Sequence, residues 1–379
     1  MCCNSSLVGV GGDSGQEHPQ HGGNLQWAAH LAKCAPEDLL DFSSSINPLG
    51  PPASALAALQ AGLTALKAYP DPAYRRFREA VAAYHQLPSP DWVLPGNGAA
   101  ELLTWAARDL SSLDAVGLVV PAFGDYERAL RSAFSGSKPN LVRLPLDFKV
   151  TEQLPDFAPL QTQGPRTKVG LLLNNPHNPT GWLFQRSSLE PWLSQLAQVV
   201  VDEAFMDFLP PELDQSWVAQ VLHYPNLVVI RSLTKFYSLP GLRIGYAIAQ
   251  PETLRRWQQW RDPWPVNCLA ERVTEAVLQD YSFQQQTLHW LPQARAELQQ
   301  SLDALPGFKT FRGRANFLLV QSEQPVPALQ RRLVQQYRLI IRDCLSFPEL
   351  GAHYFRVAVR TQPENQRLTA ALNDLLQTP

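Results

Sequence analysis

Residues 232–246 read "SLTKFYSLPGLRIGY", with one lysine, Lys235, set among hydroxyl, aromatic and aliphatic neighbours. An isolated ammonium in such company is costly to bury, so it asks for a use. The stretch joins two apolar runs, "NLVVIRS" (226–232) and "IGYAIA" (244–249), whose β-branched, two-sided apolar character is that of buried strands. Upstream, "AVGLVV" (115–120), "KVGLLLN" (168–174) and "QVVVDEAF" (198–205) have the same character, with helical patterns between them. That alternation predicts an α/β protein built on a largely parallel sheet. Downstream, an amphipathic stretch over 268–302 is followed by strand-like "NFLLV" (316–320), a helix near 328–336 and strand-like "YFRVAVR" (354–360). These suggest a smaller C-terminal α/β domain. The expected organisation is an N-terminal segment over 1–47, a large domain over 48–262 and a small domain over 263–379. Residues 1–20 are polar and Gly-rich, and their start is expected to be flexible.

A chain of 379 residues with 45% apolar content can bury a large core. Lys+Arg 32 against Asp+Glu 34 leaves a net charge of −2, without the basic footprint of nucleic-acid binding or a polybasic membrane anchor. The expected partner is a small molecule. Cys2, Cys3, Cys34, Cys268 and Cys344 are odd in number and lack CxxC spacing, so neither a disulfide framework nor a metal site is expected. No apolar run has the length of a membrane span, and a cytoplasmic location fits best.

Four polar clusters fall where apolar runs end, which is where open α/β sheets place ligands. In "LPGNGAAELL" (94–103), Gly98 and Ala99 open a helical pattern whose free N–H groups suit a phosphate, although an ordinary Gly turn reads the same way. "NNPHNPTG" (174–181) offers Asn178 from a turn stiffened by two prolines. Asp202 ends the very apolar "VVVDEAF" (199–205), where a carboxylate needs a positive or protonated partner; a structural ion pair is the plain alternative. The fourth cluster supplies Ser232, Thr234, Lys235 and Arg243. Together they describe one ligand, with an anionic end for Gly98, Ala99, Ser232, Thr234 and Arg243, a ring nitrogen for Asp202, a ring oxygen for Asn178 and a carbonyl carbon for Lys235. Pyridoxal 5'-phosphate has all four. Lys235 would form a Schiff base with its aldehyde, and Asp202 would keep the ring nitrogen protonated so that the ring takes up the electrons of a bond broken at the substrate's α-carbon. Phe123 in "PAFGDY" (121–126) would stack on the ring, unless it is simply core.

The order NPHNPTG, VDEAF, SLTK, PGLRIGY is similar to that of the class I/II aminotransferase-fold enzymes, with 24 residues from Asn178 to Asp202 and 33 from Asp202 to Lys235. The resemblance runs from His21 to the C-terminus. It implies the fold type I architecture of pyridoxal phosphate enzymes and a homodimer, with Tyr69 in "AYPDPAYRRFREA" (68–80) reaching the phosphate of the neighbouring subunit's cofactor. The tyrosine that this family carries in "DEAY", which would bond the ring oxygen, is Phe205 here. Within the family, "HGGN" (21–24), "LLDFSSSINPLGPP" (39–52) and "YFRVAVRTQPENQRL" (354–368) resemble the L-threonine-O-3-phosphate decarboxylases of cobalamin biosynthesis more than the related histidinol-phosphate aminotransferases. Ser45 departs from the asparagine common in those decarboxylases, and "IIRDC" with Arg342 and "RANFLLV" around Asn316 fit both branches.

An amino acid carrying a phosphate presents two anions, which planar guanidinium groups suit. The resemblance gives Arg356 the carboxylate, makes Arg342, His21 and Asn24 candidates for the substrate phosphate or for orienting it, and adds Asn47 as a substrate residue; for His21, a solvated residue in a loose terminus is the plain alternative. Decarboxylation and transamination differ in which α-carbon bond stands perpendicular to the ring, so positioning decides the reaction. Besides these two enzymes, a cofactor-binding regulator without catalysis is the third reading. It is disfavoured because Lys235, Asp202, Asn178 and Arg356 are all present and no DNA-binding domain is attached.

Overall fold

The computed structural model describes residues 21–134 and 139–377. In chain order its strands are β1 (Leu40–Asp41), β2 (Val93–Asn97), β3 (Ala115–Val120), β4 (Asn140–Pro145), β5 (Val169–Asn174), β6 (Gln198–Asp202), β7 (Leu227–Ser232), β8 (Ile244–Ile248), β9 (Phe308–Thr310), β10 (Phe317–Ser322), β11 (Leu339–Ile340), β12 (Arg342–Asp343) and β13 (Tyr354–Ala358). The large sheet runs β2-β8-β7-β6-β5-β3-β4. Neighbours from β7 through β4 are parallel, and β8 alone runs against its two neighbours. The apolar runs read from sequence are its centre: every residue of β3, β5, β7 and β8 is buried. Burying aliphatic side chains such as Val199, Val200 and Val201 contributes about 1.5–3 kcal/mol each.

Parallel register brings strand ends into line. Asn174 pairs with Asp202 across β5 and β6, and Asp202 with Ile230 across β6 and β7, so the loops after these strands open on one edge. The run expected over 198–205 stops as a strand at Asp202, because the chain turns into the short helical turn Met206–Phe208. A second sheet, β12-β13-β10-β9, is antiparallel and belongs to the C-terminal part. The 268–302 stretch forms two helices, Cys268–Leu278 and Tyr281–Asp303. The helix near 328–336 is Val326–Arg332, continued by a wider turn over Leu333–Tyr337. β1 pairs in parallel with β11, so the segment ahead of the large sheet is tied to the C-terminal part.

The expectation of a flexible start over 1–20, with Cys2 and Cys3, lies outside the described residues. Cys34, Cys268 and Cys344 are free thiols. Among the described residues no helix is long and apolar enough to cross a membrane.

Candidate functional site

A cavity of about 630 Å³ opens at the carboxyl ends of β5, β6 and β7. Ser232 ends β7 and caps the short helix Leu233–Phe236, its Oγ accepting from Thr234 N at 3.4 Å and lying 2.8 Å from Thr234 Oγ1. Lys235 follows on that turn and faces the cavity. Burial is the main cause that pulls its amine down to about 8; the charges of Arg356 and Arg243 add to this and Asp202 opposes it.

Asp202, 5% exposed, ends β6. Its Oδ1 accepts from Ala204 N at 2.9 Å and its Oδ2 from the Tyr126 hydroxyl at 2.7 Å. Burial pushes its carboxyl up, while those two donors and Lys235 hold it down.

Asn178 stands on a loop that the sequence locks from within. Asn175 both donates to Phe184 O at 3.0 Å and accepts from Phe184 N at 2.9 Å, His177 Nδ1 meets Thr180 Oγ1 at 2.8 Å, and Gly181 turns at φ 74° with its N–H on His177 O. The Asn178 Oδ1 accepts from Arg356 Nη1 at 2.5 Å, which leaves its amide N–H₂ for a ligand oxygen.

At the other end, helix Ala99–Leu110 starts without a side-chain cap beside the cavity that Ala99 borders, an arrangement able to take an anion. Gly98 has φ 74°, and a Cβ there would lie 2.5 Å from Arg243 Nη2: glycine lets the guanidinium lie against the chain. Gly98 does not itself border the cavity; Ala99, Ser232, Thr234 and Arg243 do.

Phe123 borders the cavity and meets Tyr126 edge-on, with centroids 5.7 Å apart. Phe205 also borders it and packs on Phe317 at 5.0 Å, with no hydroxyl to offer. Arg356, in β13, is buried; besides Asn178 it donates through Nη2 to Ser43 O at 3.2 Å, and its Nε has no hydrogen-bond partner among the described residues. Burial and the charge of Arg342 pull it down to about 10, so it stays cationic at neutral pH. His21 borders the cavity beside Phe123, at 5.9 Å between ring centroids. Its imidazole is held below the ordinary value, by burial first and then by Arg342, with Asp125 opposing.

Three expected substrate residues stand elsewhere. Asn47 is buried outside the cavity: its N–H donates to Lys235 O at 3.0 Å, and its Nδ2 donates to Phe236 O and Thr287 Oγ1, both at 2.8 Å. It ties the lysine turn to the segment ahead of the large sheet, and its polar groups are used within the fold. Asn24 caps helix Leu25–Ala32 by accepting from Trp27 N at 3.0 Å. Arg342 is buried opposite Arg356 in the β12–β13 register, donating to Ser346 Oγ at 2.6 Å, and acts on the cavity through its charge. Tyr69 does not border the cavity of its own chain; it is 79% exposed and packs on Trp264 at 4.6 Å. Sequence reading missed Tyr126, a tyrosine on an amphipathic helix that reads as core, and Ser43 and Ser44 on the cavity wall, where Ser45, noted above as a departure, also lies.

Such a lysine, opposite a buried carboxylate and beside an uncapped helix start, fits a carbonyl compound with an anionic tail and a basic ring nitrogen. The fold and the site define an enzyme of the pyridoxal 5'-phosphate class. The chain belongs to the aminotransferase class I and II family, whose model matches residues 37–372. It is 40% identical to the threonine-phosphate decarboxylase of Salmonella typhimurium over 94% of this chain and 96% of that protein. It is 33% identical to a histidinol-phosphate aminotransferase of Symbiobacterium thermophilum, over 89% and 91%. The crystal structure of the histidinol-phosphate aminotransferase from Clostridium acetobutylicum superposes with a TM-score of 0.80 at 27% identity, covering 90% of this chain and all of that one.

Proposed function

We propose that the protein decarboxylates L-threonine-O-3-phosphate to (R)-1-amino-2-propanol O-2-phosphate, for cobalamin biosynthesis, using pyridoxal 5'-phosphate held by Lys235. The observation that carries this reading is the 40% identity, nearly end to end, to a threonine-phosphate decarboxylase. Bound here, the cofactor supplies an electron sink for the bond broken at the substrate's α-carbon. The chain's own residues do the rest. Asp202 holds a proton on the ring nitrogen, the Asn178 amide meets the ring oxygen, and Phe123 covers one ring face. Ala99 N, Ser232, Thr234 and Arg243 take the phosphate, with Gly98 making room for the guanidinium. The Nε of Arg356, unpaired among the described residues, and the planar guanidinium it belongs to suit the substrate carboxylate. His21, with the charge of Arg342 behind it, favours the substrate phosphate. The protein works as a cytoplasmic homodimer in which Tyr69, exposed in one protomer, reaches the partner's phosphate site.

The second reading, histidinol-phosphate aminotransferase, is favoured by the relative at 33% identity. Phosphorus NMR of a reaction with phosphothreonine and cofactor separates the two: conversion of the substrate resonance to that of aminopropanol phosphate supports decarboxylation. No conversion, with keto-acid-dependent consumption of histidinol phosphate, supports the aminotransferase.

A further inference from the structure

Tyr126 lies on helix Gly124–Ala133, one turn after Phe123, and is 3% exposed. Its hydroxyl donates to Asp202 Oδ2 at 2.7 Å and its ring meets Phe123 edge-on at 86°. One side chain thus touches both the aromatic wall of the cavity and the carboxylate on its floor. A carboxylate accepts at about four lone-pair sites. Ala204 N occupies one on Oδ1 and the phenol one on Oδ2, so the carboxylate cannot turn about its Cβ–Cγ bond without breaking both.

We propose that Tyr126 is a positioning residue for the reaction, fixing which oxygen of Asp202 meets the cofactor's ring nitrogen and keeping that carboxylate ionised. The inference rests on the reading above that Asp202 partners that nitrogen. The charged groups facing Asp202 are Lys235 from the turn Leu233–Phe236, which favours its ionised form, and Asp125 on the helix of Tyr126, which opposes it. The phenol's own ionisation is pushed well above 10 by burial, then by the charge of Asp202, so it remains a donor over the whole working pH range. Without that donation Asp202 is the stronger base, and the proton it shares with the ring nitrogen moves toward the carboxylate. The ring then carries less positive charge, and the nitrogen linking it to Lys235 keeps its proton to higher pH.

The test is Tyr126→Phe in the holoenzyme, a change that removes the hydroxyl and keeps the ring against Phe123. The pH midpoint of the bound cofactor's visible absorption band should rise by about one unit, the scale of a tenfold change for one charge-assisted hydrogen bond. The cofactor's dissociation constant should rise roughly tenfold, and kcat should fall about tenfold with KM nearly unchanged, the pattern of an interaction felt in the transition state. Tyr126→His, which restores a donor, should bring the midpoint part of the way back. An unchanged midpoint in the Phe variant overturns the proposal whatever the rate does, since a packing role alters stability without moving a titration. The midpoint and cofactor dissociation are read without substrate. A shifted midpoint in a protein that fails to decarboxylate phosphothreonine would therefore support the role of Tyr126 and count only against the substrate reading.

Discussion

In the proposed roles Lys235 and Asp202 carry opposite demands within one cavity, since the amine would have to be neutral to attack a carbonyl and the carboxylate would have to stay charged. Burial helps the first and opposes the second, and donors from Ala204 and Tyr126 correct the second. With its amine pulled down to about 8, a far larger share of Lys235 is neutral at pH 7 than of an unperturbed lysine. Because deprotonation makes the nucleophile, the rate at which apoenzyme takes up cofactor should climb with pH and level off above about 8; a rate still climbing at pH 10 would contradict the lowered value. Borohydride reduction should leave the pyridoxyl group on Lys235, and mass spectrometry that finds it on another residue would refute the assignment. Asp202→Asn should fold normally and lose more than roughly 100-fold in kcat, about 2.7 kcal/mol of transition-state stabilisation. A loss of only a few-fold would mean that another group holds the ring nitrogen. Arg356→Ala should abolish turnover while shifting cofactor affinity only modestly, as measured by titration of the apoenzyme.

At the scale of elements, the ends of β6 and β7 are held together by a buried cluster: Arg231 donates to Glu203 Oε2 at 2.7 Å and to Asp207. Replacing it by methionine leaves two buried carboxylates without their cation and should cost about 3–5 kcal/mol, visible in urea unfolding. Elements were legible where burial is two-sided. β3, β5, β6, β7 and β8 stand in the sequence as apolar runs, whereas β2 and β4, the two edges of the sheet, do not. Pro95 and Gly96 make β2 read as a turn, and β4 is largely exposed or half-buried, so its residues carry no continuous apolar signal. The site divides in the same way. Lys235, Asp202, Asn178 and Arg243 could be read because a polar group at the end of an apolar strand is costly unless it is used. Tyr126 could not, because its burial is ordinary for a helix and its partner lies 76 residues away. Asn47 lies outside the cavity: a sequence does not distinguish an asparagine whose hydrogen bonds are met within the fold from one at a cavity wall.

For the molecule as a whole, the exposed side chains Leu56, Leu63, Leu66, Tyr69 and Trp264 are what the proposed dimer would cover. Light scattering should give twice the monomer mass, and Leu66→Lys should lower both dimer stability and cofactor retention if Tyr69 acts across the interface; a fully active monomer would contradict the shared site. The two sheets meet at the cavity, with Asp202 and Lys235 from one side and Arg356 from the other. The most direct measurement is the amount of carbon dioxide released per active site from L-threonine-O-3-phosphate with pyridoxal 5'-phosphate and no keto acid. Many equivalents are expected, with the cofactor recovered as the aldehyde. No carbon dioxide, with a single equivalent of pyridoxamine phosphate and turnover resuming only when 2-oxoglutarate is added, would contradict it.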